Sequence, residues 1–397
     1  LPKGYQISQY DLPVCMTGHL IVNGQKIRIH RAHLEEDAGK LVHAGADGLH
    51  GSDYSLVDFN RSGVPLLEIV SEPDLRTPDE ARMYLTELRN ILRHLDVCDG
   101  NLEEGSFRCD ANVSMRPAGD EKLGTKTEIK NMNSFKAVQR AIQSEIERQT
   151  GMIERGERIV QETRLWNDAT GTTFPMRSKE DAHDYRYFPE PDLVPLAIAR
   201  EWVAQVEQTL PELPEARRQR YISQNGLSLD TAILFAEQKE IGDVFDRVMT
   251  LGAKADNPAN WLVNVVPGYL NENKMEFSET KLTPENLRDL DKAVSTIGSN
   301  KAKELLVRLL SEPGDVNEII AREGLAQITD ESALRQVVED VLKAAPGQVS
   351  DYGNGKTKVR QFFVGQVMKN TKGKANPQIV EKLLDELLPK PDGNGAA

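Results

Sequence analysis

Long apolar runs are missing from this chain of 397 residues, and none approaches the roughly 20 residues that a membrane-spanning helix needs. Cysteine is also scarce, and the odd number and wide spacing of Cys15, Cys98 and Cys109 fit neither a disulfide framework nor a zinc cluster. Such cysteine usage is typical of a protein of the reducing cytosol. A glycine-rich phosphate loop of the form Gly-x-x-x-x-Gly-Lys-Ser/Thr is absent too, which excludes that class of nucleotide site.

The charge balance limits the partners of the chain. The net charge is -13, so the molecule as a whole does not attract nucleic acid, and any nucleic-acid contact needs a local basic patch. The hydrophobic content of 39% and charged content of 28% are ordinary for a globular protein, and the length is enough for two or three domains. The chain begins at Leu1 without Met, signal peptide or helix cap, so we expect an N-terminal piece of the natural protein to be missing.

The pattern of the chain predicts an α+β protein. Leu20–Val22 and Gln25–Ile29 flank Asn23-Gly24, the preferred pair for a two-residue hairpin turn. Thr77, Pro78 and Glu80 predict the start of an amphipathic helix. We expect a β-rich catalytic cradle with flanking helices over residues 1–210, an all-α domain over 211–325 and a helical tail domain over 326–397.

Three consecutive carboxylates, Glu35, Glu36 and Asp37, follow the second hairpin strand directly after Arg31 and His33. Acidic side chains so close together repel one another unless a cation lies among them, and a divalent metal with a phosphate ligand is one such cation. A charged surface turn is the competing interpretation. Glu68 stands in an apolar run and is costly to bury unless it is paired, metal-bound or protonated, although an edge strand would leave it in water. If buried, Glu68 completes an oxygen-rich site with Glu35 or Glu36.

Two further segments alternate with the period of a β-strand. In residues 108–116, Arg108, Asp110 and Asn112 share a face. In residues 125–131, the corresponding side chains are Lys126, Glu128 and Lys130. A solvated sheet surface is one explanation, but this mixture of charges suits phosphate and metal better than plain water.

A local basic patch occurs near the C-terminus. Between Gly353 and Asn376 there are six basic residues and no acidic one, namely Lys356, Lys358, Arg360, Lys369, Lys372 and Lys374. This distribution favours contact with a phosphate backbone, with a solvated basic helix face as the alternative.

Taken together, the motifs resemble the B subunit of the aspartyl/glutamyl-tRNA amidotransferase (GatB) family along essentially the whole chain, including a C-terminal region similar to the YqeY domain. The segments that carry the resemblance are Tyr5–Ser8, Arg31–Lys40, Leu56–Arg61, Pro65–Asp74, Glu103–Asn112, Lys130–Phe135 and Asp184–Asp192.

This resemblance implies an ATP-dependent ligase that forms a carbon–nitrogen bond with glutamine as the nitrogen donor. Such enzymes phosphorylate the side-chain carboxylate of Glu-tRNA(Gln), and in many organisms Asp-tRNA(Asn), and ammonia then displaces the phosphate. The ammonia comes from the glutaminase, which is the A subunit, and a small C subunit completes the heterotrimer. Phosphoryl transfer to a carboxylate needs cations near the phosphates and does not require a phosphate loop.

The resemblance also implies residue roles. The Mg²⁺ carboxylates correspond to Glu35, Glu36 and Glu68, with Glu36 favoured over Glu35. The nucleotide pocket or tunnel mouth would be lined by Arg108, Asp110, Lys126, Glu128 and Lys130. The tRNA would contact the six basic residues of the tail.

One departure from the family concerns the N-terminus, where the family has a Glu-Val-His strand with further metal ligands and often a zinc-binding cysteine set. This chain starts after both, so zinc is expected only in that missing segment, and residues 44–51 look like an insertion near the acidic motif. A non-catalytic, tRNA-binding scaffold, which the basic tail and the helical region favour, is the alternative function.

Overall fold

The computed structural model describes residues 5–44, 54–176, 186–328, 330–371 and 373–390. The chain divides into two compact units, residues 1–214 and 215–397. Strands are concentrated in the first unit and helices in the second, which confirms the α+β class. The further division of the second unit near residue 326 stays a prediction.

The predicted hairpin is present and is longer than expected. Strand β2 (Cys15–Val22) pairs antiparallel with β3 (Gln25–Glu36), and Val22 lies opposite Gln25. The turn residues Asn23 and Gly24 have φ of 49° and 77°, the left-handed conformation that a type I′ turn requires at both positions. The acidic motif is therefore fixed at the end of β3.

The strands in the described residues of the first unit form four small sheets, with strand orders β1-β11, β2-β3-β6, β4-β5 and β10-β9-β8-β7. The remaining strands are β1 (Tyr5–Ile7), β4 (Lys40–Ala44), β5 (Tyr54–Asp58), β6 (Pro65–Ser71), β7 (Ala111–Val113), β8 (Thr127–Lys130), β9 (Thr163–Asn167), β10 (Thr172–Pro175) and β11 (Arg186–Phe188).

Two long helices, α1 (Pro78–His94) and α2 (Phe135–Glu154), pack on each other and contribute to the core of the first unit. Helix α1 begins as predicted, because Thr77 and Glu80 form a capping box around Pro78. The core also includes Ile27 of β3 and Ile129 of β8, both fully buried, so α1 and α2 share one core with the strands that carry the predicted site. Helix α3 (Arg200–Thr209) buries none of its residues.

The second unit is helical. Its helices are α4 (Pro214–Asn225), α5 (Leu229–Glu237), α6 (Lys239–Thr250), α7 (Asp256–Asn260), α8 (Val266–Asn273), α9 (Pro284–Ile297), α10 (Ser299–Ser311), α11 (Val316–Glu323), α12 (Glu331–Ala344), α13 (Pro346–Gly353), α14 (Arg360–Asn370) and α15 (Pro377–Leu387). A π-helical turn (Trp261–Val265) joins α7 to α8. Buried apolar side chains form one cluster over residues 221–319 and another over residues 334–388.

Candidate functional site

Strands β3 and β6 bring the side chains of His33, Glu35 and Glu68 together. In their antiparallel register His33 lies opposite Glu68, and Glu35 is two residues beyond His33 on the same face. The ligand atoms of the three side chains all lie within 4.8 Å of one another. His33 Nε2 lies 3.5 Å from Glu35 Oε2 and 3.6 Å from Glu68 Oε2. We call this group of one imidazole and two carboxylates the metal-site cluster.

Burial makes the metal-site cluster chemically unusual. The His33 side chain is fully buried, and among the described residues neither its ring nitrogens nor Glu35 Oε2 has a hydrogen-bond partner. Burial raises the pKa of Glu35, and the charge of Glu68 raises it further, while His33 and Gln6 act in the opposite direction. Unpartnered buried polar atoms are costly, and a divalent cation between them would satisfy both the imidazole and the carboxylates. The donor set therefore fits a metal ion.

Glu36 is the predicted ligand that the structure does not bring into the cluster. It directly follows Glu35 on β3 and lies opposite Pro65, so the alternation of the strand directs it to the other face. His33, which is not among the predicted ligands, is in the cluster instead. The sequence contains a signal for including His33, because His33 and Glu35 are two residues apart and residues i and i+2 of a strand share a face.

The third carboxylate of the motif, Asp37, contacts two arginines. Arg108 Nη2 donates to Asp37 Oδ2 at 2.5 Å, and Arg61 Nε lies 3.2 Å from the same oxygen. Asp37 is buried, whereas the side chains of Arg61 and Arg108 are 41% and 42% exposed. Arg108, predicted to line the nucleotide pocket, is thus positioned beside the acidic motif.

A second polar group forms between β8, which carries Glu128 and Lys130, and Asp110 directly before β7. Lys130 Nζ donates to Asp110 Oδ2 at 2.7 Å and lies 3.4 Å from Glu128 Oε1. Glu128 also accepts a hydrogen bond from Thr163 on β9. Asp110, Glu128 and Lys130, all predicted to line the nucleotide pocket or tunnel mouth, therefore lie together. Lys126, predicted for the same pocket, is exposed and lies outside this group.

An aromatic stack covers the imidazole of the metal-site cluster. Tyr10 contacts His33 edge to face with ring centroids 6.0 Å apart, and Arg31 lies 4.3 Å from the centre of the Tyr10 ring. Tyr187 in turn stacks on Tyr10, with ring centroids 4.7 Å apart.

Part of the predicted basic patch in the tail is neutralised. Lys356 is paired with Asp351, and Arg360 with Glu381 and Asp385. No carboxylate in the described part of the chain forms an ion pair with Lys358, Lys369 or Lys374, and Lys372 lies outside that part. The helices that the structure describes include none that is long and apolar enough to traverse a bilayer.

Comparison with known proteins gives the same family for both units. Residues 1–204 match the GatB/GatE catalytic domain and residues 243–388 match the GatB domain that includes the YqeY region. The chain is 49% identical to the B subunit of an aspartyl/glutamyl-tRNA(Asn/Gln) amidotransferase of Thermodesulfovibrio yellowstonii, over 98% of this chain and 82% of that protein. It is 51% identical to the protein of the same name from Moorella thermoacetica, again over 98% and 82%.

Proposed function

The chain belongs to the GatB/GatE family, and we propose that it is the part of a tRNA amidotransferase that activates the amino acid carried by the tRNA. Its substrates would be Glu-tRNA(Gln), Asp-tRNA(Asn) or both, since its relatives are named for both pairs. Its partners in a heterotrimer would be the glutaminase, or A subunit, which supplies ammonia, and a small C subunit. The observation that carries the proposal is the His33–Glu35–Glu68 cluster, in which the buried ring nitrogens of His33 and the buried Glu35 Oε2 have no hydrogen-bond partner among the described residues.

The proposed reaction has two steps. In the first, an oxygen of the substrate side-chain carboxylate attacks the γ-phosphorus of ATP, and the bond from that phosphorus to the ADP oxygen breaks. In the second, ammonia attacks the acyl carbon, inorganic phosphate leaves with the carbon–oxygen bond electrons, and a proton is lost from nitrogen to give the amide. Both steps develop negative charge on phosphate oxygens, which positive groups must stabilise.

The chain offers residues for holding Mg²⁺ in this reaction. Glu35, Glu68 and His33 would bind it, and the bound cation would neutralise charge on the phosphate oxygens of ATP. Glu68 is 42% exposed whereas His33 is buried, so the open side of the site is the side of Glu68. The Tyr10 ring packs edge to face against the imidazole, and Arg31 lies against Tyr10.

The Asp110–Lys130–Glu128 group supports a role beside the reacting centre. Its mixed charges are solvent-accessible, and Lys130 is held between two carboxylates. We assign this group to the mouth of the ammonia path or to the nucleotide pocket, with Lys126 at its exposed rim. In the tail, Lys358, Lys369 and Lys374 are the cations that we expect to contact tRNA phosphates.

The test is the conversion of Glu-tRNA(Gln) to Gln-tRNA(Gln) by the complex of this chain with its two partner proteins, with ADP measured in parallel. Glu68→Gln and Glu35→Gln should reduce the rate by a factor of about 100 or more, because each removes a carboxylate from the cluster. Glu36→Gln should have a smaller effect, since Glu36 lies on the other face of β3. Glu154→Gln, at an exposed carboxylate of α2, is the matched control.

A non-catalytic scaffold is the competing function, and the same assay separates the two. The scaffold function predicts salt-dependent tRNA binding with no ADP formed by any variant. ADP formation that requires both Mg²⁺ and charged tRNA, and that is lost in Glu68→Gln, would exclude the scaffold. Equal rates for the parent and the Glu68→Gln and Glu35→Gln variants would remove the cluster from the mechanism.

A further inference from the structure

The turn that follows β3 is built around Asp37. The Asp37 backbone N–H donates to Val64 O at 2.9 Å, and its carbonyl accepts from Gly63 N at 3.0 Å, so the turn is tied to the segment before β6. Asp37 Oδ1 accepts from the Ala38 N–H at 2.9 Å. The other oxygen, Oδ2, is left for Arg61 and Arg108. One buried carboxylate therefore orients two guanidinium groups.

Each arginine uses only part of its hydrogen-bonding capacity. Arg61 contacts Asp37 and the Ala38 carbonyl through Nε alone, and Arg108 contacts Asp37 through Nη2. Among the described residues, neither guanidinium has another hydrogen-bond acceptor. Because a guanidinium carries five N–H donors, both nitrogens at the end of Arg61 and two nitrogens of Arg108 remain to bind a ligand.

The local charge points to an anionic ligand. A structural ion pair needs one arginine for one carboxylate, whereas Asp37 with Arg61 and Arg108 carries a net charge of about +1. Both side chains are about two-fifths exposed, so their free donors are accessible from solution. Guanidinium groups fixed in this way match the oxygens of a phosphate in geometry as well as charge.

The position of this pair relates it to the metal-site cluster. Asp37 is two residues beyond Glu35, and its backbone continues the pairing of β3 with the segment before β6. Two residues of a strand span about 6.6 Å. A polyphosphate held at one end by a cation on Glu35 and Glu68 would thus extend toward Arg61 and Arg108.

We propose that Arg61 and Arg108 form a phosphate clamp for the polyphosphate of ATP, and that Asp37 is its positioning residue. This deepens the proposed function and depends on it for the identity of the ligand as a nucleoside triphosphate. It assigns three roles to three consecutive acids: Glu35 to the metal, Glu36 to the opposite face of the strand and Asp37 to the arginines. Asp37 is thereby excluded from the metal ligands, because its oxygens are already engaged.

Two measurements on the complex with its two partner proteins test the clamp. The first is binding of inorganic tripolyphosphate without metal, by calorimetry; the second is the steady-state KM for ATP and kcat with Glu-tRNA(Gln). Arg61→Gln should weaken tripolyphosphate binding and raise the KM for ATP by about 10- to 100-fold, the loss expected for charge-assisted hydrogen bonds. Arg61→Lys should recover only part of the lost affinity, because lysine keeps the positive charge but lacks the planar guanidinium that binds two phosphate oxygens at once.

The positioning role of Asp37 has its own signature. Asp37→Asn keeps the size of the side chain and removes the anchoring charge, so kcat should fall more than the affinity for tripolyphosphate. The Asp37→Glu variant should recover part of kcat. Arg155→Gln, at an exposed arginine that is likewise paired with a carboxylate, is the control and should leave every value within about twofold.

The outcomes separate the clamp from the proposed function. If Arg61→Gln and Arg108→Gln bind tripolyphosphate and use ATP as the parent does, the clamp is wrong, and ATP-dependent amidation by the parent would still support the function. If the parent binds tripolyphosphate and both arginine variants bind it more weakly, the clamp is supported. If that same parent protein forms no amide, the proposed function fails. A variant that fails to fold would show a lowered melting temperature. In that case tripolyphosphate binding by Arg61→Lys is compared with that of the parent instead.

Discussion

Replacing Glu35 with glutamine should have opposite effects on stability with and without a divalent cation. In the metal-free protein the Glu35 and Glu68 carboxylates lie within 4.8 Å of each other. At an effective dielectric constant of about 20, two charges at that distance repel by about 3 kcal/mol. Because Glu68 is 42% exposed, solvent screening reduces this to about 1–2 kcal/mol. Glu35→Gln removes that repulsion, although it also removes the attraction between Glu35 and His33.

We therefore expect metal-free Glu35→Gln to be at least as stable as the parent, by up to about 2 kcal/mol, or about 4–8 °C in melting temperature for a unit of this size. The sign is consistent with the pKa of Glu35, which burial and Glu68 raise. A carboxyl whose folded pKa is raised contributes stability at low pH that is lost as the pH rises through that pKa. The advantage of the glutamine variant should accordingly grow from acidic to neutral pH.

A saturating cation should reverse the order. A ligand at 100 times its dissociation constant stabilises the folded state by about 2.7 kcal/mol, and the parent should gain this from Mg²⁺ or Mn²⁺. The variant should gain little, because it has lost a ligand oxygen. The assay is thermal unfolding of both proteins in chelator and across a cation titration. A parent that does not respond to the cation, together with a variant that is less stable in chelator, would show that Glu35 is an ordinary structural carboxylate.

Three further outcomes follow from other contacts. Burial would raise the pKa of Glu145, but hydrogen bonds from its neighbours and the charges of Arg148 and Arg164 outweigh burial and lower it. Glu145→Gln should therefore reduce the free energy of unfolding by about 3 kcal/mol at neutral pH, as measured by urea unfolding. The loss should become smaller as the pH falls through that pKa. Asp246→Asn should cost about 2 kcal/mol by the same measurement, because Arg217 is 5% exposed and lies 2.8 Å from Asp246. Lys369→Ala should reduce the salt dependence of tRNA binding by about one phosphate contact, whereas Lys356→Ala should change it less, because Lys356 is already paired.

Local patterns predicted the elements that depend on neighbours in the chain. The Asn23-Gly24 turn and the capping box at Thr77 are confirmed because each is decided by the conformational preferences of a few adjacent residues. In the tail, the apolar periodicity predicts helices over residues 331–344, 356–369 and 377–388. The second of these begins as a 3-10 turn, with α14 regular from Arg360, and the unpredicted helix α13 lies before it. Helix boundaries depend on tertiary packing as well as on propensity, which explains these differences.

The candidate site was predictable in part. The sequence predicts metal ligands at Glu35, Glu36 and Glu68, whereas the strand period of two places Glu35 on the same face as His33 and Glu36 on the opposite face. The pairing of Asp37 with Arg108 could not be predicted from the sequence, because the two residues are 71 positions apart and only the folded chain brings them together. The same limit applies to Arg360 in the tail, whose carboxylate partners come from α15.

The most direct test of the account is whether the imidazole of His33 binds the cation. Mn²⁺ is a paramagnetic substitute for Mg²⁺, and pulsed electron paramagnetic resonance of Mn²⁺ bound to the complex should show coupling to one imidazole nitrogen. We expect one bound Mn²⁺ with that coupling in the parent, loss of the coupling in His33→Ala, and loss of the tight site in Glu68→Gln. Unchanged Mn²⁺ binding and an unchanged nitrogen signal in both variants would contradict the assignment of the metal-site cluster.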